Sequence, residues 1–315
     1  MKCKGCGGPL ILAGTRKTKL GARQRYFCKS CNKYSMDIGE HFAHKTYPAK
    51  AVVFAISYYN LGHTLAETSK EINRRYKLKS SPSTVHSWIK EFRDKCSFSK
   101  VRSEVVKNHG RLAGHIKTKD FLHSGLTYTM KLHRPKLLMN TTGFPGLRKY
   151  LFWLMDNSPD KYFEDGLRSS KLKATVTVEV NKKFNAACQM TSLALKLAKN
   201  NHERHTRVED FFLVNDLSTI AVEVPVWYWD KDMGGISGHI DIMQVRRGKI
   251  HILDYKPNAR KEKSAMAQLS SYANALSFRT KTSLRNIRCA YFNESAYYEF
   301  TPENLRKLDP VKKPL

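Results

Sequence analysis

Two aspartates and a lysine in the last third of the chain have the types and spacing of a site that hydrolyses phosphodiesters. Asp241 ends the apolar stretch GHIDI, and Asp254 ends the apolar stretch IHILD thirteen residues later. If both stretches are neighbouring strands, the two carboxylates meet at one edge of a sheet, and residues two apart in LDYK share a face, which places Lys256 beside them. Carboxylate oxygens favour Mg²⁺ or Mn²⁺, which polarise a phosphodiester and activate water. The expected substrate is a nucleic-acid backbone, and Lys256 is expected to orient the water or to stabilise the transition state.

A helix predicted before these strands carries further polar side chains on one face. His202, His205 and Glu209 fall at i, i+3 and i+7, which is a single helix face. We expect His205 to be the third metal ligand, with Glu209 beside it, although His202 stays an alternative to His205. For Glu223, in VEVPV, an edge-strand glutamate that faces solvent is the favoured interpretation, and a residue next to the metal ligands is the alternative.

A second predicted helix follows the lysine. Gln268 and Tyr272 lie at i, i+4 on it and can reach a phosphate or a base, while Leu269, Ala273 and Leu276 form its apolar stripe.

The elements that must position these residues alternate between strands and helices. We predict a strand at 174–180, a long helix ending near Val214, strands at 219–227, 238–245 and 249–256, a helix at 262–278 and a strand at 287–292. This order is typical of an α/β fold, here with a mixed central sheet.

The motifs HxxxE, GxxD, DYK and QxxxY, in this order over residues 202–302, resemble the RecB-type branch of the PD-(D/E)xK nucleases. The resemblance implies a restriction-endonuclease-like α/β core that hydrolyses DNA to 5′-phosphate and 3′-hydroxyl ends. It also implies metal ligands at His205, Asp241 and Asp254, a catalytic Lys256, and DNA contacts at Gln268 and Tyr272. Some members carry four cysteines for an iron–sulfur cluster, and here only Cys96, Cys188 and Cys289 remain after the amino-terminal pairs, so no cluster is expected.

Four of the seven cysteines lie in two tight pairs near the start of the chain. The pairs CKGC and CKSC can close a tetrahedral sulfur site around structural Zn²⁺, with ligands Cys3, Cys6, Cys28 and Cys31. A redox CxxC usually occurs singly beside a βαβ pattern, so a zinc ribbon at 1–45 is the better interpretation.

Three amphipathic segments follow the cysteine pairs: 51–62, 65–76 and 81–92. They indicate a helix-turn-helix in which Ser83 caps the third helix and Val85, Trp88, Ile89 and Phe92 pack inward. The side chains expected to meet DNA are Thr84, His86, Ser87 and Lys90. An ordinary three-helix bundle is the alternative.

Together, the cysteine pairs and these helices resemble the DNA-binding part of insertion-sequence transposases. We see no acidic triad of the kind that those enzymes use, so the resemblance implies sequence-directed binding of duplex DNA rather than the transposition reaction.

The formal net charge of +29 favours a polyanionic partner, expected to be double-stranded DNA. No apolar stretch has the length of a membrane helix or the place of a signal peptide, so we expect no membrane and a cytoplasmic, nucleoid-associated protein. A homodimer stays open.

We therefore predict a multidomain metal-dependent phosphodiesterase. Its parts are a zinc ribbon (1–45), an all-α helix-turn-helix (46–98), a connecting region of unknown fold (99–171), an α/β nuclease domain (172–305) and a basic tail (306–315). Two alternatives stay open: a DNA-binding regulator or mobile-element accessory protein with an inert nuclease fold, and a repair or defence exonuclease acting on single strands or ends.

Overall fold

The computed structural model describes residues 3, 5–18, 21–36, 46–159, 163–164, 166–171, 179–230, 234–262 and 264–302. The chain forms two compact units, Met1–Val52 and Val53–Leu315. The predicted tail at 306–315 and most of the predicted strand at 174–180 lie outside the described residues.

The first unit contains a small antiparallel sheet. Its strands are β1 (Leu10–Thr18), β2 (Gly21–Cys28) and β3 (Lys33–Met36), with β2 in the middle. A tight turn precedes β1, in which Cys3 N–H donates to Gly8 O and Gly7 N–H donates to Cys3 O, both at 2.8 Å. Cys28 is the last residue of β2 and pairs with Leu10, so it lies at the end of the sheet where β1 begins.

Three helices open the helical part of the chain: α1 (Ala49–Asn60), α2 (Leu65–Tyr76) and α3 (Pro82–Phe92). The predicted helices are confirmed, and so is the inward packing of Val85, Trp88, Ile89 and Phe92, which are all buried. Helix α2 begins with a capping box, since Glu67 N–H donates to Thr64 Oγ1 at 3.1 Å and Thr64 N–H donates to Glu67 Oε2 at 2.8 Å.

The predicted cap of α3 is wrong by two residues. Ser81, not Ser83, is the N-cap, and its hydroxyl accepts from Thr84 N–H at 3.2 Å. Pro82 occupies the first turn, where its missing N–H costs nothing and its fixed φ suits a helix, so the helix begins earlier than expected.

A large mixed sheet forms the centre of the second unit. Its strands in the described part are β4 (Ile116–His123), β5 (Leu126–His133), β6 (Leu167–Arg168), β7 (Asn181–Lys183), β8 (Thr219–Asp230), β9 (Gly234–Arg246), β10 (Lys249–Tyr255), β11 (Ile287–Phe292) and β12 (Tyr297–Phe300). Their order is β4-β5-β8-β9-β10-β11-β12-β7, with β6 paired to β9 beside this path. Only the pairs β10–β11 and β6–β9 are parallel among the described strands. The predicted α/β class with a mixed sheet is confirmed.

Residues 99–171, for which the sequence predicted no fold, supply part of this sheet. They contain α4 (Arg102–His109), β4, β5, α5 (Arg134–Asn140), α6 (Pro145–Asp156) and β6. Strand β5 pairs with β8 through Lys131↔Val222 and Leu132↔Ala221. The sheet therefore crosses the expected boundary at residue 171.

The predicted long helix before β8 is instead two helices, α7 (Ala186–Ala194) and α8 (Arg204–Asn215). The break falls at the pair Asn200-Asn201, and the Asn200 Oδ1 atom accepts from Glu203 N–H at 3.0 Å. Asparagine side chains compete with the backbone in this way and favour turns over helix interiors. The short helix α8 then packs on β8 and β9.

The last helix, α9 (Ala265–Thr280), lies between β10 and β11 in the chain. Its stripe of Leu269, Ala273 and Leu276 is buried in the main hydrophobic core with Val224, Ile240 and other strand residues. This crossover joins the parallel pair β10–β11, and it holds the polar face of α9 near the end of β10.

Candidate active site

A cleft of about 280 Å³ collects most of the residues that the sequence singled out. Asp241, Asp254, Lys256, His205, Gln268 and Tyr272 all line it. Strands β9 and β10 are antiparallel neighbours with Leu253 opposite Ile242, so Asp241 and Asp254 are brought side by side. Asp241 lies in the middle of β9 rather than at its end, because β9 is longer than the apolar stretch GHIDI indicated.

Asp241 is the most heavily bonded acid of the cleft. Its Oδ2 atom lies 2.6 Å from His205 Nε2 and accepts from Tyr255 N–H at 3.0 Å. Burial alone would raise the pKa of this carboxyl, but the charge and hydrogen bond of His205, together with Lys256, lower it to about 2. Asp241 is therefore ionised at neutral pH.

His205 forms the other half of this ion pair. Burial opposes its charged form, yet Asp241 beside it raises its pKa to about 9. Its side chain is 41% exposed, so water screens part of this attraction. His202 is exposed, precedes α8 and does not line the cleft. The structure thus brings His205, the preferred candidate, to the aspartates.

Asp254 has the opposite environment. It is only 2% exposed, and burial followed by the neighbouring charge of Asp241 raises its pKa to about 8. Lys256 Nζ lies 2.9 Å from Asp254 Oδ2, but that oxygen has no partner in hydrogen-bond geometry among the described residues. The short distance is an ion-pair contact without a directed hydrogen bond.

A chain of hydrogen bonds holds Lys256 from the helix side. Lys256 Nζ donates to Gln268 Oε1 at 3.2 Å, and Gln268 Nε2 donates to Tyr272 OH at 2.7 Å. The Tyr272 ring packs against Gly238, where an added Cβ would lie 2.3 Å from the ring carbon Cε1. Gln268 and Tyr272 are both mostly buried, so they support Lys256, and their predicted contact with DNA stays a prediction.

Glu223 is the acid that the sequence placed wrongly. Strand β8 lies between β5 and β9 in the sheet, so Glu223 is not on an edge, and its side chain lines the cleft. It falls opposite Asp241 in the register, between the pairs Val222↔Ile242 and Val224↔Ile240, and its φ of 51° is left-handed. Such strain in a non-glycine residue is concentrated at functional sites. The usable signal was a charged residue inside the otherwise apolar predicted strand 219–227.

Glu209 lies beside Glu223 at the base of the cluster. It is buried, its Oε1 atom has no hydrogen-bond partner among the described residues, and that atom lies 3.7 Å from His205 Nε2. Burial and the charge of Glu223 raise the pKa of Glu209 well above its usual range. Burial and Asp241 likewise raise the pKa of Glu223 to about 7.

The donor set fits a divalent cation. Glu223, Asp241 and Asp254 line the cleft, and Glu209 adjoins it at His205. Burial and mutual repulsion raise the pKa of Glu209, Glu223 and Asp254, and a bound cation would relieve this repulsion. One potential ligand atom each from His205, Glu209 and Asp241 lie within 4.8 Å of one another. Asp254 is outside that group, and its role as a ligand stays a prediction. Carboxylate oxygens with an imidazole are ligands that Mg²⁺ and Mn²⁺ accept.

A second cluster lies in the first unit and consists of cysteines. The Sγ atoms of Cys3 and Cys31 are 3.7 Å apart, those of Cys6 and Cys28 are 3.4 Å apart, and all four lie within 4.8 Å of one another. A regular tetrahedron with Zn–S bonds of about 2.3 Å has sulfurs about 3.8 Å apart. The four cysteines therefore form a cluster that can hold a metal ion such as zinc.

The residues of α3 that were expected to meet DNA lie on its outer side. His86, Ser87 and Lys90 are exposed, and Thr84 is partly exposed. Ser87 Oγ donates to Ser83 O at 3.1 Å and Ser81 Oγ contacts Thr84 Oγ1 at 2.9 Å, so both hydroxyls already have local partners. Their contact with bases stays a prediction.

Comparison of the chain with protein-family models, with curated proteins and with solved structures finds no match in any of the three. In the part of the chain that the structure describes, no helix is long and apolar enough to cross a membrane.

Proposed function

We propose that the cleft is the active site of a divalent-metal-dependent deoxyribonuclease of the PD-(D/E)xK kind. The observation that carries this proposal is the meeting of Glu223, Asp241 and Asp254 with Lys256 in one cleft, with the buried Glu209 adjoining them 3.7 Å from His205. Buried acids concentrated at one place are stabilised by a cation there, and the net charge of +29 of the chain attracts a polyanion.

Each residue has a role that follows from its contacts. Asp241 is the anchor of the cation site, since Tyr255 N–H and His205 hold it ionised and in place. Lys256 is held between Asp254 and Gln268, so its ammonium can stay fixed where charge develops on the phosphate or where the attacking water sits. A bound Mg²⁺ ion would supply Lewis-acid activation of the phosphodiester.

The supporting residues restrict how this group can move. Tyr272 is wedged against Gly238 and bonds Gln268, which in turn bonds Lys256. A fixed donor costs no reorganisation when the reaction occurs, and this is the main source of electrostatic catalysis.

We propose that the amino-terminal parts of the chain recognise the DNA site. The helices α1 to α3 have the order and the buried faces of a helix-turn-helix, and α3 leaves His86, Ser87 and Lys90 exposed. A zinc ribbon formed by the four cysteines would precede it. Because the chain carries its own candidate reader of duplex DNA, we favour an endonuclease over an exonuclease.

The test uses purified full-length protein with supercoiled circular DNA, linear duplex DNA, single-stranded DNA and RNA, each with Mg²⁺ and with EDTA. The expected result is Mg²⁺-dependent cleavage that opens the circle and leaves 5′-phosphate ends. Cleavage of linear DNA alone would favour the exonuclease alternative, and cleavage of RNA alone would overturn the choice of substrate. DNA binding without any cleavage would favour the regulator with an inert fold.

A further inference from the structure

The wall of the cleft away from the acids has a different character. It is formed by Tyr128, Arg168, Ser169, Ser237 and His239. Arg168 ends the two-residue strand β6 and pairs with Ser237 of β9, two residues on the chain from His239. Strand β9 thus contains both Asp241, at the acidic end of the cleft, and Ser237, which pairs with Arg168 at the opposite wall.

Arg168 is a cation without a carboxylate. None of the ion pairs among the described residues involves it, and its Nη2 atom donates to Tyr128 OH. A guanidinium has five N–H donors, and one bond to a phenol leaves a fork that can take an anion. By contrast, Lys256 and His205, at the acidic end of the cleft, are paired with Asp254 and Asp241.

The wall that carries Arg168 is rigid. Tyr128 stacks on His239 with ring centroids 4.0 Å apart, and His239 Nε2 lies 3.0 Å from His123 Nδ1. His123 Nε2 in turn lies 2.8 Å from Ser237 Oγ. Both histidines are buried, so Tyr128 has a fixed platform and holds the guanidinium in one place.

The two histidines add no positive charge to this wall. Burial lowers the pKa of His123 to about 4 and that of His239 to about 3, and both are neutral at physiological pH. Arg168 is therefore the cation of this wall, facing a cleft whose other end is acidic.

We infer that Arg168 binds a non-bridging oxygen of a second substrate phosphate, next to the phosphate that is cleaved at the acidic end. The chemistry is that of a phosphate group: a planar, always charged fork meets a tetrahedral anion and can bond two of its oxygens. A nucleic-acid strand that places one phosphate among the acids must carry its neighbouring phosphate along the cleft, and Arg168 is the cation there to receive it. This inference rests on the proposed nuclease function.

The test is chemical interference at single phosphates. After the cut positions on duplex DNA are mapped, duplexes are made in which one phosphate near the cut is replaced by a neutral methylphosphonate. For the wild type, one such position should lower kcat/KM about tenfold to a hundredfold, as expected for a hydrogen bond to a charged group. Arg168→Ala should show the same loss on ordinary DNA and no further loss at that one position.

Two further variants make the result specific. Arg285→Ala removes an exposed arginine that does not line the cleft, and it should behave as the wild type in the interference scan. Arg168→Lys keeps the positive charge but lacks the planar guanidinium group, so its cleavage rate should lie between those of Arg168→Ala and the wild type. If Arg168→Ala melts at a lower temperature than the wild type, the comparison is made with Arg168→Lys instead.

The source of the phosphate is separated by the ends of the substrate. Equal dependence on Arg168 for closed circles and linear duplexes means an internal phosphodiester, whereas dependence only with 5′-phosphorylated linear duplexes means a terminal phosphate. An unchanged interference pattern in Arg168→Ala, with Mg²⁺-dependent cleavage intact, would overturn the role of Arg168 alone. Absence of any cleavage by the wild type would overturn this inference together with the proposed function.

Discussion

Gly238→Ala tests the packing that supports Lys256. Gly238 lies on β9, three residues before Asp241, and a Cβ built there lies 2.3 Å from Tyr272 Cε1, 2.9 Å from Cζ and 2.9 Å from the hydroxyl oxygen. Carbon atoms that are not bonded prefer separations of about 3.5–4.0 Å, so the ring must move by more than an ångström. The ring is buried, with 4% of its surface exposed, so a shift of this size must displace its neighbours or push the ring into the cleft that it lines.

The expected cost follows from overpacking. Adding a methyl group to a well-packed core costs about 1–3 kcal/mol of the free energy of unfolding. For a unit of this size, each kcal/mol lowers Tm by about 2–4 °C. Because Tyr272 OH accepts from Gln268 and Gln268 accepts from Lys256, displacement of the ring should also lower the cleavage rate.

The assay is thermal and urea unfolding of the purified variant, together with Mg²⁺-dependent cleavage. Gly143→Ala is the matched control, since a Cβ there meets no atom within 4 Å and its φ is not left-handed, and it should leave both measurements unchanged. In a Tyr272→Ala background the clash is gone, so Gly238→Ala should then cost almost nothing. An equal cost in both backgrounds would refute the assignment of the clash to Tyr272.

Three other changes have outcomes that the structure decides. Glu223→Gly should raise the free energy of unfolding, measured in urea, by about 1 kcal/mol. The reason is that glycine adopts the left-handed φ without strain and that one of four clustered carboxyl groups is removed. The same variant should cleave DNA more slowly than the wild type, and a lower free energy of unfolding would contradict the prediction. Cys28→Ser should abolish the binding of one zinc ion per chain by atomic absorption, and full zinc content in this variant would contradict the four-cysteine site. Burial lowers the pKa of Lys136 to about 7 from its usual 10.5, so between these pH values the folded protein holds less of this proton than the unfolded chain and stability rises with pH. Lys136→Met should remove this rise in urea unfolding at several pH values, and an identical pH dependence in both proteins would contradict it.

Much of the candidate site could be predicted from the sequence, because the periods of strands and helices decide which nearby side chains share a face. Period two in LDYK places Asp254 and Lys256 on one face, and the i, i+4 spacing places Gln268 beside Tyr272, as the structure has them. The strand at 287–292 also has the predicted bounds. These features depend on residues close together in the chain.

Features set by distant contacts were not predictable in the same way. Glu223 becomes an acid of the cleft only because β5 pairs on the far side of β8, a contact between residues about ninety apart in the chain. Arg168 lies on a strand of two residues, too short for any pattern, and it reaches the cleft through its pairing with β9. The break between α7 and α8 contains two asparagines, whose side chains favour turns, while the apolar pattern on both sides indicates one continuous helix.

The central claim is that the acids of the cleft make a metal-dependent phosphodiesterase, and the most direct measurement is the initial rate of DNA cleavage with Mg²⁺ by Asp254→Asn. Asp120→Asn is the matched control, because Asp120 is an exposed carboxylate on β4 that does not line the cleft. The account predicts that Asp120→Asn cleaves at the wild-type rate and that Asp254→Asn, equally folded and still able to bind DNA, loses at least about a hundredfold in rate. Unchanged Mg²⁺-dependent cleavage by Asp254→Asn would contradict the assigned site.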